Sequence, residues 1–327
     1  MAISSHRLRT RRGPSTTSFR RRPAGRRFPT LLGVAAALTV APFLVTGAHA
    51  LSAQEPLRVF ISTDMEGVGG VGAPSMTSTG GKDYATGRRL MTDEVNAVIR
   101  AILARGPAEI VVNDSHGDHQ NLLHTDLHPA VEYIQGSIKP LGMVQGLDES
   151  FDAAVFLGYH AMAGDPDGFL AHTGTGSLKG LWLNDVEVGE GGLNAAFAGM
   201  HGVPLVLAAG DSAFAAEIVD QGDPVTVTTK TAETPSSARL VHPEEVHRRL
   251  EAGVGTALNR LEAGAFEPFD VGTPVTLRMR FTSPTHVEIL QSIPGTRKVD
   301  GYTVEYTATD MDEAYRLIRL MYRFVGT

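Results

Sequence analysis

Four short apolar runs, separated by segments with helical periodicity, constrain the fold of this chain more than any other feature. The runs are nearly continuous rather than alternating, which is typical of strands buried on both faces of a parallel sheet. We expect strands at Leu57–Thr63, Glu109–Asn113, Ala153–Gly158 and Pro204–Ala209. Such strands, alternating with helices, predict an α/β fold built on a doubly wound, mainly parallel sheet.

Two helices are expected between these strands. The first begins with Thr92 as its N-cap and stops at Gly106, which a proline follows. The second begins near Glu190 and ends near His201. The apolar stripe of the first helix consists of Val95, Val98, Ile99, Ile102 and Leu103.

The last third of the chain has a different pattern. Val275–Phe281 alternates apolar and polar residues, which predicts a strand with one solvated face. Further strands are expected at His286–Leu290 and Thr303–Ala308, with surface helices over Pro243–Leu261 and after an Asp310 cap. Residues 231–237 resemble a linker. We therefore predict a metal-binding α/β domain over residues 51–220 and a smaller α+β domain over residues 221–327.

The first 50 residues have the composition of a secretory signal peptide. They contain nine arginines and no acidic residue, followed by an apolar run from Leu31 to Val45 and the small-residue site Ala48-His49-Ala50. The run is short for a membrane span, so a retained anchor is the alternative and a cleaved leader the prediction. Arg26-Arg27 before the run is compatible with twin-arginine export. We expect a periplasmic or extracellular protein without a stable membrane span.

Charge and cysteine content narrow the possible partners and ligands. The formal charge of the whole chain is −7, and loss of the nine leader arginines leaves −16. Such an acidic protein repels phosphate backbones, so nucleic acid is not an expected partner. The chain has no cysteine, so any metal has to be held by histidines and carboxylates.

Polar residues of metal-ligand type follow three of the predicted strands. Asp64 and Glu66 follow the first, His116 the second and His160 the third. Ligands in open α/β sheets bind outside the carboxyl ends of the strands, so these side chains should meet in one crevice. Histidine and carboxylate ligands suit Zn²⁺, with Mn²⁺ or Co²⁺ as alternatives.

Other polar residues near the strand ends have ordinary structural explanations. Asp114 and Asp211 are expected to act as cap or turn residues. His119, His124 and His128 are expected mostly on a loop surface. His172 lies on a glycine-rich loop, where it is either an exposed loop residue or a group held over the metals.

Together these segments resemble the zinc-dependent D-aminopeptidases associated with dipeptide-transport operons. The resemblance extends from about Val59 to Met321. It rests on Ser62-Thr-Asp-Met-Glu-Gly67, Val112-Asn-Asp-Ser-His116, Phe156-Leu-Gly-Tyr-His-Ala161 and Val188-Gly-Glu-Gly-Gly-Leu-Asn194, with support from Met91-Thr-Asp-Glu-Val-Asn96 and Ile293-Pro-Gly-Thr296.

The resemblance implies a role for each candidate residue. Asp64 would bridge two zinc ions, Glu66 and His116 would complete one site, and His160 and Glu190 the other. His172 matches a catalytic histidine of the family. Glu190 is chosen on this ground alone, because any carboxylate at a helix N-terminus is stabilised by the helix dipole. Two interlocked domains and a homodecamer are also implied, although the family members are cytoplasmic and this chain carries a leader.

The expected function is hydrolysis of short peptides that begin with a D-residue such as D-Ala, by metal-activated water. Two alternatives remain. One is a non-catalytic protein that binds peptides or metal, and the other is a metal-dependent amidase or esterase with the same fold.

Overall fold

A seven-stranded sheet carries the strands that the predicted metal-ligand residues follow, and a second sheet of five strands packs beside it. The computed structural model describes residues 55–326, so the predicted leader lies outside the described residues. Within that range the strands are β1 (Leu57–Thr63), β2 (Ala108–Asp114), β3 (Val131–Ile134), β4 (Ala153–Tyr159), β5 (Leu178–Leu183), β6 (Val186–Glu187), β7 (Leu205–Asp211), β8 (Val225–Thr234), β9 (Ser237–Leu240), β10 (Val275–Phe281), β11 (Arg297–Lys298) and β12 (Thr303–Ala308).

The larger sheet has the order β3-β2-β1-β4-β7-β8-β9 and is parallel except for β9. Because β2 and β4 flank β1 on opposite sides, the strand order reverses at β1. Such a reversal leaves a crevice at the carboxyl ends of the strands. The register sets Thr63 level with Asp114 on one side and Leu157 on the other, so the residues that follow these strands meet at one edge.

Helices cover both faces of this sheet, as predicted. The helices of the described chain are α1 (Tyr84–Leu103), α2 (Glu190–Met200), α3 (Ser212–Glu217), α4 (Pro243–Glu262), α5 (Pro284–Leu290) and α6 (Met311–Val325). Of these, α5 and α6 pack on β10 and β12 of the second sheet. One apolar core lies between the sheet and α1 with α4. The other lies under α2 and continues into the second sheet and α6. Between residues 55 and 326, no helix is long and apolar enough to cross a membrane.

The second sheet interlocks with the first through the chain path. Its order is β11-β12-β10-β5-β6, and its paired strands are antiparallel. After β4 the chain leaves the first sheet to form β5 and β6 of the second sheet, and it returns to the first sheet through α2 and β7. The mixed α/β fold with an interlocked smaller unit is therefore confirmed. The division into two domains at residue 220 stays a prediction. Strands β8 and β9, which follow that residue, belong to the first sheet.

Three local predictions were wrong. Helix α1 begins at Tyr84 rather than after Thr92, whose hydroxyl instead donates to the Arg88 carbonyl one turn earlier, 2.9 Å away. The segment at 286–290 is part of helix α5, because Ser283 caps it and Pro284 occupies its first turn. Residues 231–237 form most of the β8–β9 hairpin, and their polar composition suits a strand pair at the edge of the sheet.

Two glycines allow the loop after β1 to lie directly against β4. A Cβ atom on Gly67 would lie 1.8 Å from the carbonyl oxygen of Tyr159. Gly158 has a φ of +69°, and a Cβ there would lie 2.2 Å from the carbonyl oxygen of Asp64. The Gly67 amide donates to the Gly158 carbonyl across 2.7 Å. Only glycine fits at both positions, so the backbone around Asp64 is fixed closely to the neighbouring strand.

A buried lysine and a buried glutamate hold the far side of the same loop. The Lys230 ammonium on β8 donates to the carbonyl oxygens of Glu66 and Val71. Glu94 of α1 accepts from the Gly69 amide at 2.5 Å. Burial raises the pKa of Glu94 and lowers the pKa of Lys230, while each charge partly offsets the effect of burial on the other. These contacts tie the loop to two separate elements of the fold.

Replacing Lys230 with methionine should destabilise the protein strongly. The substitution keeps the side chain's length but leaves the Glu66 and Val71 carbonyls and the Glu94 carboxylate without their buried cation. We expect the free energy of unfolding to fall by about 3 kcal/mol. Urea unfolding measures this, with Lys179→Met at an exposed position as the matched control. A loss equal to that of the control would contradict the structural role of Lys230.

Candidate metal centre

The structure brings all six predicted site residues to one edge of the larger sheet. Asp64 and Glu66 follow β1, His116 follows β2 and His160 follows β4. Glu190 is the first residue of α2, and His172 lies on the loop between β4 and β5. Of these six, five are buried or nearly so, whereas the His172 side chain retains 32% of its accessible surface. The crevice expected from the strand order is therefore lined by the residues chosen from the sequence.

Asp64, Glu66 and His116 form the first of two groups able to hold a metal ion. The Nδ1 atom of His116 lies 3.1 Å from an oxygen of Asp64 and 3.0 Å from an oxygen of Glu66. All three donor atoms thus point at a common centre.

His160, His172 and Glu190 form the second group. The Nε2 atom of His160 lies 3.6 Å from one oxygen of Glu190, and the Nε2 atom of His172 lies 3.7 Å from the other. The two imidazole rings are stacked, with centroids 4.2 Å apart and planes 12° from parallel. Geometry alone therefore places His172 where it could be a ligand, and the catalytic role that the family resemblance implies for it stays a prediction.

Asp64 links the two groups. Its Oδ1 atom faces His116 at 3.1 Å, while its Oδ2 atom faces His160 at 3.3 Å. One carboxylate thus presents one oxygen to each group. This is the arrangement of a carboxylate that bridges two metal ions.

Hydrogen bonds to backbone carbonyls fix the tautomer of each of these histidines. The Nε2 atom of His116 contacts the Thr77 carbonyl at 2.7 Å, and the Nδ1 atoms of His160 and His172 contact the carbonyls of Ala161 and Leu170 at 3.0 and 2.9 Å. A carbonyl oxygen only accepts, so each of these nitrogens carries the proton. When a ring carries only this proton, its other nitrogen presents a lone pair toward the carboxylates, as in histidines that bind metals.

Lone pairs that face carboxylates require a positive charge between them. Buried Oδ2 of Asp64, Oε2 of Glu66 and Nε2 of His160 have no hydrogen-bond partner within residues 55–326. Three buried carboxylates without a lysine or arginine salt bridge are costly unless a cation neutralises them. The residues present therefore fit a pair of divalent ions held by nitrogen and oxygen donors.

The electrostatics of the protein alone indicate the same requirement. Burial opposes ionisation of Asp64 and Glu190, but the adjacent histidines outweigh it, so the pKa of Asp64 falls well below its usual range and the pKa of Glu190 falls to about 2. Burial likewise opposes charge on His116 and His160, yet the adjacent carboxylates raise the pKa of each ring well above its usual range. The centre thus favours positive charge between carboxylates that stay ionised.

Residues around the centre are held by a buried polar network. Ser62 contacts the hydroxyls of Ser115 and Tyr159 at 2.7 and 2.6 Å.

The expected structural roles of two other acids are confirmed. Asp114 accepts from the amides of Asn121 and Leu122, and Asp211 caps α3.

A cavity of about 260 Å³ opens onto the centre. One side is formed by the groups described above, including Asp64, His116, His172 and Glu190. Helix α6 also contributes to the cavity wall, through Arg319, Tyr322 and Arg323. The sequence reasoning missed these α6 residues. The available signal was an arginine, Arg319, within the buried stripe of an amphipathic helix, a position where arginine is rare unless it is paired.

His119 was wrongly expected on the loop surface. It is 2% exposed, and its Nε2 atom lies 3.4 Å from the Arg323 guanidinium. Burial, together with the charges of Lys139, Arg319 and Arg323, lowers the pKa of His119 to about 2. His119 is therefore a neutral residue of the cavity wall. His124 is exposed, as expected.

Comparison with known proteins agrees with this geometry. The family profile described as D-aminopeptidase matches residues 57–320. A D-aminopeptidase from Bacillus subtilis (strain 168) is 36% identical over 268 residues, which cover 81% of this chain and 96% of the relative.

A solved structure is also similar. It is that of DppA from Bacillus subtilis, described as a zinc-dependent D-aminopeptidase and a self-compartmentalizing protease. The TM-score is 0.79 at 34% identity, and the match covers 82% of this chain and 97% of DppA. The predicted class of enzyme, a metallo-aminopeptidase, is thereby confirmed. The chain belongs to the D-aminopeptidase family of peptidases.

Proposed function

We propose that the protein is a di-zinc aminopeptidase that removes an N-terminal D-residue, of the D-Ala type, from short peptides. The observation that carries the proposal is the pair of three-residue groups joined by Asp64, in which one nitrogen of every histidine contacts a backbone carbonyl and the other faces carboxylates. The zinc dependence of the relative DppA supports the choice of metal. Mn²⁺ and Co²⁺ suit the same donor atoms.

In this proposal Asp64, Glu66 and His116 hold one ion, and Asp64, His160 and Glu190 hold the other. Zinc bound here would polarise the scissile carbonyl and acidify a water molecule. The chain's own contribution is to fix the donor atoms. The histidines are oriented by backbone carbonyls, and the Gly174 amide donates to Glu190 at 2.6 Å, so little reorganisation is needed when ions bind.

His172 is assigned the transfer of a proton to the leaving amine. His172 lines the cavity, and the bond from Nδ1 to the Leu170 carbonyl leaves Nε2 as the nitrogen that can accept a proton and pass it on. Its partial exposure suits a group that exchanges protons with substrate and solvent. Stacking on His160 fixes the ring beside the second group.

The proposed activity predicts a chelator-sensitive preference for peptides with an N-terminal D-residue. The metal-loaded protein should release D-Ala from D-Ala-D-Ala faster than it releases L-Ala from L-Ala-L-Ala. A chelator should abolish release and added zinc should restore it, because the buried carboxylates lose their counter-charge without metal. Chromatographic assay of free alanine measures this. Two bound zinc ions without hydrolysis would favour the binding-protein alternative. Cleavage only of esters or simple amides would favour the amidase or esterase alternative.

Two substitutions should separate metal binding from proton transfer. Glu190→Gln should lower the zinc content from two ions to one, since the amide is a weaker ligand of almost the same shape. His172→Ala should keep both ions but lose kcat by about 10²–10⁴-fold. Elemental analysis and steady-state kinetics measure these effects, with the exposed His124→Ala as control. Loss of an ion in His172→Ala would make that histidine a ligand, and unchanged turnover would remove it from the mechanism.

We also propose export and self-assembly. The leader composition supports cleavage after Ala50, and the self-compartmentalizing behaviour of DppA supports a homo-oligomer, a decamer according to the family resemblance. The N-terminal sequence of protein recovered outside the cytoplasm should therefore begin at Leu51. Light scattering should give the molar mass of a homo-oligomer. Full-length chain found only in the cytoplasm would contradict export, and a monomer would contradict assembly.

A further inference from the structure

Two chemically opposite sets of charged residues line the cavity next to the metal centre. The only acidic residues among those that line it are Asp64 and Glu190, both of which belong to the metal centre. Arg319 and Arg323, one turn apart on α6, are the two arginines among the lining residues. A ligand that fills the cavity thus meets both the metal centre and two cations.

Neither arginine has a carboxylate within salt-bridge distance in the described part of the chain. Arg319 is 6% exposed, yet its donors reach only the Tyr322 hydroxyl at 2.5 Å and the Lys139 carbonyl at 3.2 Å. Its buried Nε atom has no hydrogen-bond partner. The hydrogen-bond partner of Arg323 in residues 55–326 is the neutral ring of His119. Neither arginine forms a salt bridge with residues 55–326, whereas Arg316 on the same helix pairs with Asp312 at 2.7 Å.

A buried guanidinium without a carboxylate is costly, so its retention in a cavity wall indicates an anionic ligand. Lys139 adds positive charge behind this wall, and its ammonium is occupied by the Asn113 side-chain oxygen at 2.7 Å and the Asp114 carbonyl. Arg319 is held by its contacts to Tyr322 and Lys139, whereas Arg323 is half-buried and lines the cavity. Guanidinium groups bind carboxylates through paired N–H donors.

We infer that Arg323, supported by Arg319, binds the free C-terminal carboxylate of a short peptide substrate. The inference rests on the proposed peptidase function and specifies its substrate class. A short peptide is a zwitterion, so its amino end and the scissile bond face the metal centre while its carboxylate reaches α6. The cavity of about 260 Å³ limits the distance between these ends. Arg323 is then a specificity-determining residue that selects free-acid peptides over C-terminally blocked ones.

The test compares D-Ala-D-Ala with its C-terminal amide in wild type and Arg323→Met. Wild type should cleave the free acid with a kcat/KM about tenfold or more above that of the amide, because a hydrogen bond to a charged group contributes this much. Arg323→Met should lose about tenfold on the acid and little on the amide, so the ratio approaches one. Arg323→Lys should keep part of the preference, and Arg316→Met on the same helix should keep all of it.

Equal loss on both peptides in Arg323→Met would overturn the inference, since it would indicate a structural role. Equal kcat/KM of wild type on acid and amide would overturn it as well. If wild type cleaves neither peptide, the proposed function fails, and calorimetric binding of the two peptides decides the inference separately. Tighter binding of the acid, lost in Arg323→Met, would support the carboxylate site, and equal binding of both peptides would overturn it.

Discussion

The centre depends on one electrostatic constraint: buried carboxylates face imidazole nitrogens that carry lone pairs. Backbone carbonyls impose this arrangement. Each accepts a hydrogen bond from one ring nitrogen of its histidine, so the other ring nitrogen faces the carboxylates. Water is largely excluded from Asp64, Glu66 and Glu190. Their charge is therefore compensated by protons on the histidines or by cations in their place. The same need to compensate the charge of the buried carboxylates thus underlies both the protonation of the histidines and the affinity of the centre for cations.

The sheet delivers these groups because the strand order reverses at β1. Residues that follow three adjacent parallel strands arrive at one level, and α2 adds its first residue from the side of the second sheet. The exact position of Asp64 depends on close backbone contact, which Gly67 and Gly158 permit. Lys230 and Glu94 secure the same loop from β8 and α1. Thus residues far apart in the chain, none of them a ligand, set the geometry of the ligands.

The parallel sheet and four of the site residues followed from the sequence, because continuous apolar runs and strand-end polar residues both reflect burial directly. Glu190 needed the family resemblance, since a glutamate that begins a helix has an ordinary explanation in the helix dipole. The start of α1 and the nature of α5 were mispredicted because tertiary contacts and one Ser-Pro cap override local pattern. The position of α6 at the cavity was missed, because Arg319 in its buried stripe indicates an unusual environment but not where that environment lies. An amphipathic helix shows which face is buried but not which cavity that face borders.

The cavity joins the first strand of the described chain to its last helix, and this has a consequence for the order of assembly. The six candidate metal-site residues all precede residue 191, while α6 contributes cavity-lining residues only from 319 onward. During synthesis the candidate metal ligands therefore exist before the last part of the cavity wall. A chain that still lacks α6 has the candidate ligands but an incomplete cavity, which is completed only when this helix packs in place.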